Sequence, residues 1–306
     1  MVKKILYIFI VLVVVAAGIY LVQRNLRIDK NENLDVQIEE VNKGVVDIED
    51  EAVKGITDNI SSPVEIAAMI KSMGVPFSKG YLAPTEFTGN YSTNYSQAFA
   101  LGVFSADLGY LNMYNKTGSV IDYLSTIKNP ADAINVGQFF DFTTLKRLAT
   151  NSSNIDSLKY ISVHSFNQMD QSLRERKRGN LSALIVAGAW IEGIFITVQV
   201  AKDQSDPKLT EKIGEQKIIL VDLMTLLTSY AKDPIFKNYV NEFKSIKSKF
   251  DDVNITFEAG EPEYITEPNG MLTIKQTEKS IVHISDEQLK AITVAIEGVR
   301  NRLIRM

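Results

Sequence analysis

Residues 181–200 are apolar or small almost throughout and contain one acid, Glu192. A helix that is hydrophobic on every side needs cover all round, which only the centre of a large helical core or a bilayer supplies. For this segment the two environments are nearly balanced. Its Leu, Ile, Val and Phe side chains each favour insertion by about 0.3–0.6 kcal/mol, and a central carboxylate opposes it by a few kcal/mol. Amphipathic segments on both sides offer faces to pack against it, so it is expected to be a core helix, with a second membrane span as the alternative. On a helix Glu192 shares its face with Ile185, Gly188, Ala189, Phe195 and Ile196, and the small residues there let another helix come close.

A second unusually apolar helix is expected over residues 94–114, with Phe99, Leu101, Val103, Phe104, Leu108, Leu111 and Met113 around it and one acid, Asp107. Tyr110 and Tyr114 follow Asp107 at helical spacing. Burying an unpaired carboxylate costs several kcal/mol or keeps it protonated, so each acid needs hydrogen-bond partners or a cavity. Asp107 and Glu192 are therefore expected in one core site, with Tyr hydroxyl and Asn amide donors as partners, or else in a ligand cavity or a general acid–base pair. The binding candidates are Asp107, Tyr110, Tyr114, Glu192, and His164 and Asn167 from a polar stripe on the helix expected over 154–178.

Before these helices, Pro63 and Glu65 behind Ser62 mark a helix start, and Gly74 with Pro76 its end. Residues 75–93 read as a long loop with aromatic anchors. A short helix over 119–128 is expected to stop before Asn129 and Pro130, which start another ending near Phe142; residues 143–149 look helical. The 154–178 helix closes on Arg174, Arg176, Lys177 and Arg178 before Gly179. Cations in a last turn suit a helix C-terminus, and the same four form a candidate anionic-lipid or phosphate patch. Helices over 208–231 and from Asp233–Pro234 to about Phe250 follow. Alternation at Ile255, Phe257 and Ala259, a turn at 267–270 between 264–266 and 271–275, and a further strand over 280–284 indicate a small antiparallel sheet of several short strands. Ser285 and Gln288 then cap a last helix whose Leu289, Ile292, Ile296, Val299 and Leu303 form a seam facing the sheet or a partner.

The N-terminal residues 5–22 are all apolar or small behind Lys3 and Lys4, nearly enough at about 1.5 Å each to match a hydrocarbon core of about 30 Å. This is a membrane anchor, with a cleaved signal as the alternative. A short basic N-terminus before one span places the body in a bacterial periplasm. Behind it, Leu34, Ile38, Val41, Val45, Ile48 and Ala52 are spaced as a coiled-coil seam in a segment, 31–60, with nine acids and two lysines.

The chain thus divides into an anchor or signal (1–23), an acidic coiled-coil-like stalk (24–60), a helical domain (61–252) and a small sheet plus C-terminal helix (253–306). The fold class is mainly α, an irregular, non-repeat multi-helix bundle. The absence of cysteine removes disulfides, thiolate metal sites and cysteine nucleophiles. Two histidines, His164 and His283, are too few and too far apart for a spacing-based metal motif. No phosphate loop, dinucleotide fingerprint or nucleophile elbow occurs, so no metal or cofactor is expected. A formal net charge of −4 argues against nucleic acid. The expectation is an interaction or scaffold protein that meets the membrane through its N-terminus and forms a homo-oligomer or binds a helical partner. The alternatives are a ligand-binding protein or enzyme using the buried carboxylates, and a membrane-embedded component.

Overall fold

The computed structural model describes residues 63–86, 91–149, 155–266 and 272–306. The anchor, the acidic seam, the Ser62 cap and the 267–270 turn lie outside the described residues. Among the described residues the protein is mainly helical, with nine helices and one two-stranded antiparallel sheet. In order these are α1 (Pro63–Ser72), α2 (Asn94–Met113), α3 (Thr117–Ala133), α4 (Phe142–Ala149), α5 (Ile155–Glu175), α6 (Gly179–Asp203), α7 (Pro207–Ser229), α8 (Pro234–Phe250), β1 (Asn254–Thr266), β2 (Leu272–His283) and α9 (Asp286–Leu303).

Helix α6 is the centre of the bundle. It is long and apolar enough to cross a membrane, and 94% of its most apolar window is buried inside the protein. Its principal partner is α2, and the two backbones touch. A Cβ at Gly102 would overlap the Ile185 carbonyl oxygen, and one at Gly188 would overlap the Phe99 carbonyl oxygen. Around this pair pack α1, α5, α7 and α9.

Helix ends follow the local chemistry. Thr93 and Ser96 form a reciprocal capping box at the start of α2, as Ser285 and Gln288 do at α9. Asp206 and Asp233, each before a proline, accept backbone N–H groups at the starts of α7 and α8. Gly74, at φ 76°, ends α1 as its left-handed C-terminal residue.

Four expectations are corrected. Pro130 does not start a helix but lies inside α3, which runs through it. An interior proline costs about 3 kcal/mol, and the burial of Ile127, Ala131 and Ile134 on one face offsets it. Beyond Ala133, helix α3 is closed by Asn135, at φ 54°, with Val136 N–H bonded to the Ala131 carbonyl at 2.8 Å and Asn135 N–H to the Asp132 carbonyl at 3.0 Å. This is a Schellman closure, and a single 3₁₀ turn, Gly137–Phe139, follows before α4.

Second, α5 ends at Glu175, not at Arg178, and its left-handed residue is Lys177, at φ 58°. The Arg178 N–H to Leu173 bond of 2.7 Å closes it. Gly179 instead opens α6, where the Tyr230 hydroxyl oxygen would lie 2.5 Å from an added Cβ. Third, the sheet is one long hairpin, with a register irregularity between Ala259 and Pro262. Its base rests on α7, where the Val282 side chain occupies the space that a Cβ on Gly214 would need. Fourth, α9 packs chiefly on α8 and α6 rather than on the sheet. Its Ile292, Ile296, Val299 and Leu303 are buried in this chain's own core.

Gly102→Ala and Gly188→Ala are expected to destabilise the fold by about 1–3 kcal/mol or more, because backbone, not a flexible side chain, fills the space. Gly118→Ala in α3, where nothing lies within 4 Å of the added Cβ, is expected to be neutral or slightly stabilising. Urea denaturation followed by circular dichroism measures both.

Candidate functional site

The close approach of α2 and α6 sets the position of both core acids. Asp107 lies five residues beyond Gly102 and Glu192 four beyond Gly188, so the crossing that joins the glycines brings the carboxyls side by side, within hydrogen-bond range. Both residues have 0% of their surface exposed. Asp107 and Glu192 are thus brought together in the core, and their hydrogen-bond partners are the Ala83 N–H and Arg300 rather than Asn or Tyr donors.

Glu192 is held by Arg300 from α9. The Arg300 Nε–H donates to one carboxylate oxygen at 2.8 Å and its Nη2 to the other at 2.5 Å. This bidentate geometry satisfies a buried carboxylate better than a lysine would. The guanidinium lies over the Phe195 ring, 4.1 Å from its centroid, which adds a cation–π contact. Asp107 Oδ2 accepts the Ala83 backbone N–H at 2.9 Å, and the Ala83 carbonyl accepts the Tyr123 hydroxyl at 2.6 Å. Asp107 Oδ1 is buried and accepts no hydrogen bond from an N–H or hydroxyl group.

Burial pushes the Asp107 carboxyl well above the ordinary aspartate range, and the neighbouring Glu192 charge adds to it, against the opposing pull of Arg300 and the Ala83 N–H. A protonated Asp107 gives the two adjacent carboxyls a donor between them. Tyr123 is raised by burial and then by Asp107 and Glu192, and Tyr91 is pushed up by burial to about 12. Both phenols stay neutral. The Tyr91 hydroxyl donates to the Ile304 carbonyl at 2.9 Å.

The other sequence candidates are placed elsewhere. Tyr110 and Tyr114 pin the segment before α2: the Tyr110 hydroxyl accepts the Ser78 N–H at 3.1 Å, and the Tyr114 hydroxyl donates to the Val75 carbonyl at 2.8 Å. Phe77 stacks on Tyr110 with centroids 5.5 Å apart. His164 and Asn167 are exposed on α5, apart from the buried carboxylates. Arg174 leaves the expected cationic patch, because it pairs with buried Asp170, whose other oxygen accepts the Ser182 hydroxyl at 2.5 Å. Arg176 and Lys177 are exposed and Arg178 is half-buried.

Sequence reasoning missed Arg300, Tyr123 and Ala83. Arg300 had a signal: it stands four residues after Ile296 and three before Leu303, a cation on the apolar face of the last helix. Tyr123 and the Ala83 backbone had none. No protein-family model, curated protein or solved structure matches this chain.

Arg300→Met leaves Glu192 buried without its cation and is expected to cost about 3–5 kcal/mol, most of it recovered when Glu192→Leu is added. Asp107→Asn keeps an acceptor for the Ala83 N–H and supplies a donor toward Glu192. Because the folded carboxyl titrates above its unfolded value of about 3.9, the native state holds the extra proton, and wild-type stability falls with rising pH by up to about 1.4 kcal/mol per unit until Asp107 ionises in place. Asp107→Asn lacks that slope, so its advantage over wild type grows as pH rises above about 4, until Asp107 ionises in place. Urea melts across this range check it.

Proposed function

We propose that this chain is a membrane-anchored helical interaction or scaffold protein, with its body in the periplasm of a bacterium. The observation that carries the reading is the use of the core acids: Asp107 and Glu192 have no exposed surface, and Arg300 and the Ala83 N–H bind them. An enzyme acting through them would have to open its core to admit substrate. The burial of α6 favours a soluble body over a second span, since the helix already has apolar cover on every side. Residues 5–22 supply the anchor in this reading, and the acidic seam at 34–52 supplies a stalk with a face for self-association. The seam of α9 is spent within the chain, so association rests on the stalk.

Fractionation tests the topology. The full chain is expected in carbonate-washed membranes, and the chain without Met1–Gln23 in the soluble fraction. A truncated chain that stays in the washed pellet overturns the soluble-body reading. For the stalk, light scattering of the full chain in detergent is expected to show an oligomer that Ile38→Asp with Val45→Asp dissociates. A wild-type monomer well above micromolar concentration removes the stalk association.

A further inference from the structure

We infer that Asp107 keeps a proton directed at Glu192, and that losing it releases the 75–86 segment from the helical core, so the cluster is a pH-sensitive latch. The argument begins with a charge count. Two carboxyls and one guanidinium are sealed together, and Arg300 spends two donors on Glu192. The remaining carboxyl has one donor, the Ala83 N–H, and a buried oxygen without a partner. A proton on the pair removes the uncompensated charge and supplies the missing donor at once.

The groups around Asp107 leave the proton to Asp107 itself. They are Glu192 on α6, Arg300 on α9, Tyr123 on α3, Tyr91 ahead of α2 and Tyr239 on α8, with Glu86 beyond Tyr123. From α1, Lys71 is exposed. The three phenols are raised by burial, and Arg300 stays charged.

The segment that Asp107 holds is also the least regular cover of the site. Between α1 and α2 its described part contains no α-helix or strand, only 3₁₀ residues at Lys79–Tyr81 and at Thr85 and Glu86, and it is fixed through hydrogen bonds from or to Val75, Ser78, Tyr81 and Ala83. Of these, the Ala83 bond alone ends on the buried carboxyl pair. An ionised Asp107 beside Glu192 in a water-free site is relieved by admitting water, and moving this segment outward is the route that leaves every helix packed. Because the closed state keeps the proton and the open state gives it up, rising pH favours opening.

Hydrogen exchange of the full chain in detergent, read by mass spectrometry over residues 75–86 and corrected for intrinsic amide rates, tests the latch. The opening equilibrium is expected to rise toward tenfold per pH unit above about pH 4 and to level off once Asp107 ionises in the closed state. Asp107→Asn is expected to remove this slope. An equal slope in Asp107→Asn, or no slope in wild type, overturns the proposal. Should Asp107→Asn fail to fold, carbon-13 NMR of wild type labelled at the aspartate carboxyls decides. One carboxyl titrating far above the rest, at the pH where exchange levels off, supports the latch, and all aspartates titrating in the ordinary range overturns it.

Discussion

Glu192 sits at the centre of the most apolar helix with no access to water, and a charge in that position is tolerable only with a cation brought to it in matching geometry. Arg300 comes from 108 residues away in sequence to supply that cation. The C-terminal helix is thereby a part of the core and not an appendage. Two further pairs tie α9 to the same body: Glu297 with Lys202 at 2.6 Å, and Arg302 with Glu242 at 2.5 Å. These are more exposed and contribute little individually. The buried pair differs in kind, because removing one partner strands the other.

The second constraint is the contact between α2 and α6. Two glycines let the backbones touch, and that distance makes neighbours of Asp107 and Glu192. Burying two carboxyls beside one guanidinium leaves a charge that water cannot screen, which is the physical origin of the raised Asp107. The same carboxyl reaches the Ala83 backbone, so the protonation of the core and the docking of the segment before α2 are linked through one side chain.

Aromatic residues complete that docking. Phe77, Tyr81, Tyr110 and Tyr114 form a contiguous ring cluster between the segment and α2. The expectation of a loop with aromatic anchors is met here among the described residues, because ring burial supplies cover that a segment without regular hydrogen bonding otherwise lacks.

The sequence by itself determined most helices and their ends. The two apolar stretches around Asp107 and Glu192 dictated buried helices, Gly74 dictated a left-handed stop, and Asp233 with Pro234 and Ser285 with Gln288 dictated starts, since each rests on groups within a few residues of one another. It also marked the two core acids as needing partners. Which partners they found was decided by tertiary structure alone. Arg300 and the Ala83 N–H reach these acids only after α2, α6 and α9 have packed, and no local spacing encodes that meeting. The same holds for the corrected features. Pro130 stays inside α3 because burial of Ile127, Ala131 and Ile134 outweighs its local cost, and α9 buries its seam in this chain's own core while its Arg300 pairs with Glu192. Local rules fix conformation where the competing states differ by local energies. Long-range packing and charge compensation decide where those energies are outweighed.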